Sequence, residues 1–468
     1  MNNFVKRLIA FSAGPIIGAG ISFITIPLTT YFISPEEYGK ASLFVLFQML
    51  FATIIYLGLD QSYTREYNES DNKKVLLQNA LIIPLLLSLF LFLLIAIFHK
   101  NVSLLLFKSE IYTIPVLLFG IMIIFMVTER FILLSVRMEE KALEYSILNI
   151  LVKFVTLIGT LVIVYFVRRD FLTVIYSATL GQIIGDMFLI IKYRDLLNFR
   201  HYKPDFSLKK NMLKFGLPIL VAASITSLLN SLDRIFLRTY SDFYQLGIYT
   251  ATLRIVATLN IVQNSFTSFW VPTAYRWHQS GKDIKYFKIV SDGILFVMSM
   301  LFMFIVTFKD FIVTLLSSEY IDAKFIVAFL CLQPIMYTVS ETTCLGIVFS
   351  RKSYMNIWIS LLSIIPNIVL NILLTPIYGA IGTAIATAVS YFVFFWGRTY
   401  FSRRTGLKFN VIKHLVVFCL VFVVCFINLT KNNEVLYWNI LLTLFIGAVQ
   451  YKTIKNTIPF LVKKNIEK

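Results

Sequence analysis

Stretches of about twenty apolar residues recur from one end of this chain to the other, and no other feature limits its fold so tightly. Each is long enough, as a helix, to cross a hydrocarbon layer of about 30 Å. Lipid offers backbone N–H and C=O groups no partner, so a crossing segment must satisfy them within a helix or a closed barrel. The alternating pattern of a membrane barrel is missing from the sequence. Composition agrees: 58% of residues are hydrophobic and 15% charged, where a soluble domain holds roughly a quarter charged residues. The chain is therefore expected to be an all-α polytopic membrane protein.

Charged breaks divide the apolar runs into about fourteen transmembrane helices, at 8–33, 42–64, 75–98, 111–135, 147–167, 171–191, 214–233, 244–270, 289–308, 325–349, 355–374, 377–397, 414–429 and 435–451. The first run is too long for a cleavable signal and lacks a small-residue cleavage site, so it is taken as a span. With the N-terminus inside, the inner segments hold 30 of the 43 Lys and Arg residues and the outer loops 10. The remaining three, Arg130, Lys153 and Arg254, lie within spans. Inner loops attract Lys and Arg, so this bias places both termini in the cytoplasm.

The formal charge of +18 does not indicate nucleic acid, because the cations sit between apolar runs and no aromatic-basic module accompanies them. Topology and contact with membrane lipids account for them. Cys331, Cys344, Cys419 and Cys425 lie inside apolar runs, so no disulfide framework is expected. No phosphate loop of the G-x-x-x-x-G-K-[ST] type occurs. His99, His201, His278 and His414 have no metal-ligand spacing. The outer loops are too short to build a catalytic domain. Neither a metal nor a cofactor is expected, and a transporter is favoured over an enzyme.

Charges inside spans point to a working site, since each costs about 2.5–3.5 kcal/mol or more near the bilayer centre. Arg254 lies on a polar stripe with Thr250, Thr258, Ser265 and Ser268; it lines a cavity, snorkels outward, or pairs with an acid on a neighbouring helix. Arg234 and Arg238, with Asp233 beside them, fall at the end of span seven, where interfacial anchoring competes with ligand contact. Glu129 and Arg130 are adjacent and need separate partners; Lys153 is a candidate partner for Glu129. Glu341 is the deepest acid of the second half, either a proton or cation site or a helix-capping or Lys-paired carboxylate. Arg254, Arg234, Arg130, Lys153 and Arg238 are the candidate substrate-binding residues, and Glu341, Asp233 and Glu129 the candidate coupling or gating residues. Their excess of fixed positive charge suits an anionic substrate.

Both halves open alike. Phe11–Pro15 (FSAGP) leads to Ile33–Phe44 (ISPEEYGKASLF), and Lys214–Pro218 (KFGLP) leads to Leu246–Arg254 (LGIYTATLR). This supports four regions: an N-terminal lobe over 1–195, a basic linker over 196–213, a second lobe over 214–400, and the last two spans with a basic tail over 401–468. These segments, with Leu229–Leu237 (LNSLDRIFL), resemble the polysaccharide-transport branch of the MOP superfamily. The resemblance implies two pseudo-symmetric six-helix lobes around a cationic cavity, plus two C-terminal helices. It also implies a flippase for undecaprenyl-pyrophosphate-linked oligosaccharide repeat units in the bacterial inner membrane, serving O-antigen or capsule. Such a carrier would be a monomer working beside a polymerase and other assembly proteins. Gly14, Pro15, Gly39 and Pro218 would be hinge or packing positions. Cation-coupled multidrug exporters and lipid II flippases of the superfamily are the alternatives. The absence of an acid from residues 1–33, and of arginine between Arg7 and Arg65, weighs against them.

Overall fold

The structure, a computed structural model, describes residues 2–350, 352, 354–430, 434–451 and 453. Side chains of 2–13, 15, 16, 19, 142, 149, 201, 222, 225, 226 and 229 fall outside that description. The described residues are helical throughout, without a strand. Contacts divide the chain into two compact units, Met1–Leu232 and Asp233–Lys468.

The first unit holds α1 (Asn2–Phe32), α2 (Pro35–Ile55), α3 (Leu59–Glu66), α4 (Lys73–Ile97), α5 (His99–Phe107), α6 (Thr113–Met138), α7 (Ala142–Phe166), α8 (Phe171–Lys192) and α9 (Phe206–Leu229). From the boundary onward follow α10 (Leu232–Tyr240), α11 (Phe243–Gln279), α12 (Ile284–Thr307), α13 (Lys309–Thr314), α14 (Ala323–Thr343), α15 (Leu345–Phe349), α16 (Tyr354–Tyr378), α17 (Ala380–Arg404), α18 (Ile412–Ile427) and α19 (Val435–Val449). Among the described residues, ten helices are long and apolar enough to cross a membrane. Three shorter apolar helices, Gly20–Phe32, Ile412–Ile427 and Val435–Val449, accompany them. The span expected at 214–233 falls on α9 and is broken before α10 begins.

Long apolar helices keep one face for protein and one for lipid. On α4, Leu86, Phe90, Leu93 and Ile97 are exposed at helical spacing, while Leu76, Leu77, Ala80 and Leu81 are buried against α6. In the first unit α7 packs on both α1 and α8; in the second α17 packs on α14 and α16, and α14 on α11 and α12.

Local chemistry sets several boundaries that hydropathy misplaces. Span two, expected at 42–64, starts instead at Pro35, because Ser34 caps α2 by accepting the Glu37 amide and Pro35 needs no amide partner there. It stops at Ile55, because Leu57 and Gly58 take left-handed φ values of 53° and 69°. Span ten, expected at 325–349, breaks at Cys344, and span eight, expected at 244–270, runs on as α11 to Gln279. Contacts divide the chain between Leu232 and Asp233, and α9 packs on α2, α3 and α4. Gly216 makes this possible, since a Cβ there would lie 2.8 Å from the Gly58 carbonyl carbon.

The two units repeat one device. The Glu37 carboxylate, three residues past the Ser34 cap, accepts the Phe171 amide that opens α8 at 3.0 Å. Gln245, three residues past the Asp242 cap, accepts the Ala380 amide that opens α17 at 3.0 Å. In each, a polar side chain in the first turn of one helix satisfies an orphan amide of another.

Candidate functional site

Polar side chains inside the helices gather into one cluster per unit. In the first unit, Asp60 of α3 is buried and receives Arg130 of α6, with Nη2 at 2.7 Å and Nε at 3.2 Å from the same carboxylate oxygen. Gln61 donates to that oxygen as well, at 3.0 Å. Arg130 is thus held by a carboxylate of its own unit, and its guanidinium lies 5.7 Å from the Tyr56 ring. Its chain neighbour Glu129 turns elsewhere, as helical geometry requires. The Gln182 amide of α8 donates to Glu129 at 2.7 Å and to Asp186, fully buried on the same helix, at 3.0 and 3.1 Å. Lys153 of α7 is exposed and within electrostatic reach of Glu129. The arrangement joins α3, α6, α7 and α8 through three acids and two cations.

In the second unit, Asp233 at the start of α10 is the focus. One of its carboxylate oxygens accepts the Asn367 and Asn371 amides of α16 at 3.2 and 3.1 Å. The other accepts Thr387 of α17 at 2.6 Å and the buried Tyr249 hydroxyl of α11 at 2.9 Å. Asn371 continues the network to Thr375, and Thr375 to Thr383. The Asp233 carboxylate thus accepts from neutral amide and hydroxyl donors on three other helices. The same amide and hydroxyl oxygens can turn toward a proton or a hard cation.

Arg234 and Arg254 lie within electrostatic reach of each other beside this network. Arg254 is exposed, and no ion pair among the described residues involves it. Arg238 stacks its guanidinium 5.2 Å from the Phe243 ring, the geometry of an anchored helix end. Glu341 on α14 pairs with Arg398 on α17 at 2.7 Å; both are nearly buried, and Ser340 accepts from the same nitrogen at 2.7 Å. The Arg398 plane lies against Tyr337 and Phe394, which stack on each other. The partner of Glu341 is thus an arginine of another helix, where the sequence suggests a lysine.

Among the remaining candidates, Gly14 is a packing position. Its amide donates to Ser146 of α7 at 3.2 Å, and a Cβ on it would overlap the Ser146 backbone. Gly39 is buried in α2, where its carbonyl accepts Ser42 at 2.8 Å. Pro218 is exposed within α9. The Pro15 side chain lies outside the described residues.

Six participants escaped the sequence: Asp60, Gln182, Asp186, Arg398, Asn367 and Asn371. Asp186, Asn367 and Asn371 did leave a trace, as polar residues inside apolar runs, the asparagines one helical turn apart.

Two solved structures share this architecture. The lipid II flippase MurJ, in an inward closed conformation, superposes with a TM-score of 0.68 at 17% identity, covering 97% of this chain and 100% of that one. An inward-facing multidrug resistance MATE family transporter of the MOP superfamily gives a TM-score of 0.60 at 17% identity, covering 86% and 99%. At such identities the likeness is one of fold, that of a multi-pass membrane transporter. No curated protein sequence matches the chain. The sequence profile of the family described as polysaccharide biosynthesis protein matches residues 4–278, more than half of the chain. Its matched region takes in the capped α2 hairpin, the Arg130 cluster and the Asp233–Arg254 segment, and the chain belongs to that polysaccharide biosynthesis family.

Proposed function

We propose that this protein is a flippase that carries undecaprenyl-pyrophosphate-linked oligosaccharide repeat units across the bacterial cytoplasmic membrane by alternating access, for O-antigen or capsular polysaccharide. Arg254 carries the proposal. It sits within a long apolar helix, exposed and without an ion pair among the described residues. A membrane helix sustains such a charge where it faces a water-filled cavity. Arg234 lies in electrostatic reach of it, and a guanidinium such as that of Arg254 is shaped to bind phosphate oxygens bidentately. Lys153 and the partly exposed Arg130 are the candidate substrate-binding cations of the first unit, and Arg238 is a further one of the second.

Asp233 is the proposed coupling group: protonation or cation binding there would rearrange the asparagine and threonine side chains of α16 and α17. Glu129, sharing the Gln182 amide with Asp186, is the matching candidate in the first unit. The functional lobes would be 1–195 and 214–400, with both termini cytoplasmic. The carrier would act as a monomer beside a polymerase. Lipid II, the cargo that names MurJ, is the second reading, favoured by the shared fold.

The test is a deletion strain complemented with wild type, Arg254→Ala or Asp233→Asn. Surface polymer and lipid-linked repeat units in the inner leaflet are measured together. Wild type should restore polymer, while each variant should lower export about tenfold or more and let the intermediate accumulate. Full export by Arg254→Ala would remove the cationic cavity from the mechanism. Build-up of cell-wall precursor in the deletion strain would favour lipid II, and a change only in drug susceptibility would favour an exporter.

A further inference from the structure

A cavity of about 510 Å³ lies at the C-terminal end of α17, lined by Trp396, Tyr400, Arg403, Arg404 and Lys408, with Val411 closing its far side. Its volume is in the range of small-molecule sites. Three of its lining residues are cations and none is an acid. Among the described residues no ion pair involves Arg403, Arg404 or Lys408. Arg404 instead lies over the Tyr400 ring and donates to its hydroxyl at 3.0 Å. Two buried acids of this unit are engaged by other cations: Glu341 by Arg398 and Asp292 by Lys413, each at 2.7 Å.

A second observation is independent of charge. The Trp396 indole N–H is buried and has no hydrogen-bond partner among the described residues. Buried donors are nearly always satisfied, by protein, water or ligand. Tryptophan and tyrosine beside a basic cluster at a helix end are the residues that settle at the lipid headgroup level. Basic pockets between transmembrane helices bind anionic headgroups there.

We propose that this cavity binds the phosphodiester headgroup of an anionic phospholipid. Arg403, Arg404 and Lys408 supply the counter-charge, the Trp396 N–H donates to a phosphate or glycerol oxygen, and an acyl chain lies along the apolar wall. The charge bias of the sequence puts this end of α17 on the cytoplasmic side. The site stands apart from the transport proposal, because binding is read on purified protein without turnover.

The experiment uses the full-length protein in detergent, titrated with dioctanoyl phosphatidylglycerol, dioctanoyl phosphatidylcholine or inorganic phosphate. Retained adducts are counted by native mass spectrometry and thermal shifts are recorded. Phosphatidylglycerol should bind saturably and raise the melting temperature, with phosphatidylcholine at least about tenfold weaker. The Arg403→Gln/Arg404→Gln pair should lose about tenfold or more in affinity for phosphatidylglycerol. Trp396→Phe, which keeps the ring and removes the donor, should lose several-fold without changing the preference over phosphatidylcholine. Equal binding of the two lipids by wild type would overturn the proposal, as would unchanged phosphatidylglycerol binding by the double variant. Displacement of phosphatidylglycerol by inorganic phosphate at similar concentration would overturn the lipid assignment in favour of free phosphate. If the double variant fails to fold, the Trp396→Phe result and the lipid preference of wild type still decide.

Discussion

Glu341 and Arg398 lie on different helices, and neither position in the sequence points to the other, yet their charged atoms meet at 2.7 Å in a nearly dry setting. Removing one member of a buried pair leaves the other charge uncompensated, at a cost of about 3–5 kcal/mol. Glu341→Ala should therefore lower the unfolding midpoint in detergent sharply, and Glu341→Ala/Arg398→Met should recover much of the loss. A single variant that melts like wild type would mean the pair contributes nothing. Lys309, just beyond α12, is a different case. It is buried, with only the Asn428 carbonyl at 3.3 Å to accept from it among the described residues, and burial pulls its pKa down to about 8. In an unfolded chain the group titrates near 10.4. The folded state carries the full penalty of the charge below about pH 8, and sheds it as pH rises toward the unfolded value. Stability should increase across that window, and Lys309→Met should flatten the increase; parallel pH profiles for the two proteins would contradict this.

At the scale of the element, glycine and capping chemistry decide more than hydropathy. The α2–α3 break depends on left-handed Leu57 and Gly58, and the approach of α9 depends on Gly216 having no side chain. Gly216→Ala pushes a methyl group into the Gly58 backbone and should cost about 1–3 kcal/mol, the range for overpacking a well-filled contact. Measured unfolding free energies for Gly216→Ala and for Ala substitution at Gly20, an exposed helical glycine where a Cβ would meet open space, would separate contact from propensity; similar losses would refute the close approach. The SPEEYG segment was legible as a motif, but its role was not. Its Ser caps, its Pro opens the helix, and its second Glu reaches the amide that starts α8. That last bond spans 134 residues, a separation no local pattern encodes. The recurrence at Asp242, Gln245 and Ala380 gives the parallel openings of the two halves a physical meaning: each ties the second helix of its unit to a later one.

For the whole molecule, the expected topology makes its own prediction. Single cysteines at Ser70 and Lys282 should react with a membrane-impermeant maleimide only after the membrane is opened, and one at Ser318 should react in intact cells. The reverse pattern would invert the orientation, and the same pattern at all three would break the span count. The all-helical membrane fold and the positions of most helices could be read from the sequence, because lipid enforces helix on any apolar run long enough to cross it. Candidate charges could also be found, since a charge in such a run stands out against its background. Their partners could not. Arg130 with Asp60, Glu341 with Arg398, and Asp233 with Asn367, Asn371 and Thr387 each join helices far apart in the chain. Hydropathy and charge count are one-dimensional quantities and determine which segments enter the membrane. Which buried charge is neutralised and which, like Arg254, stays available depends on how helix faces come together, and only the tertiary structure decides that.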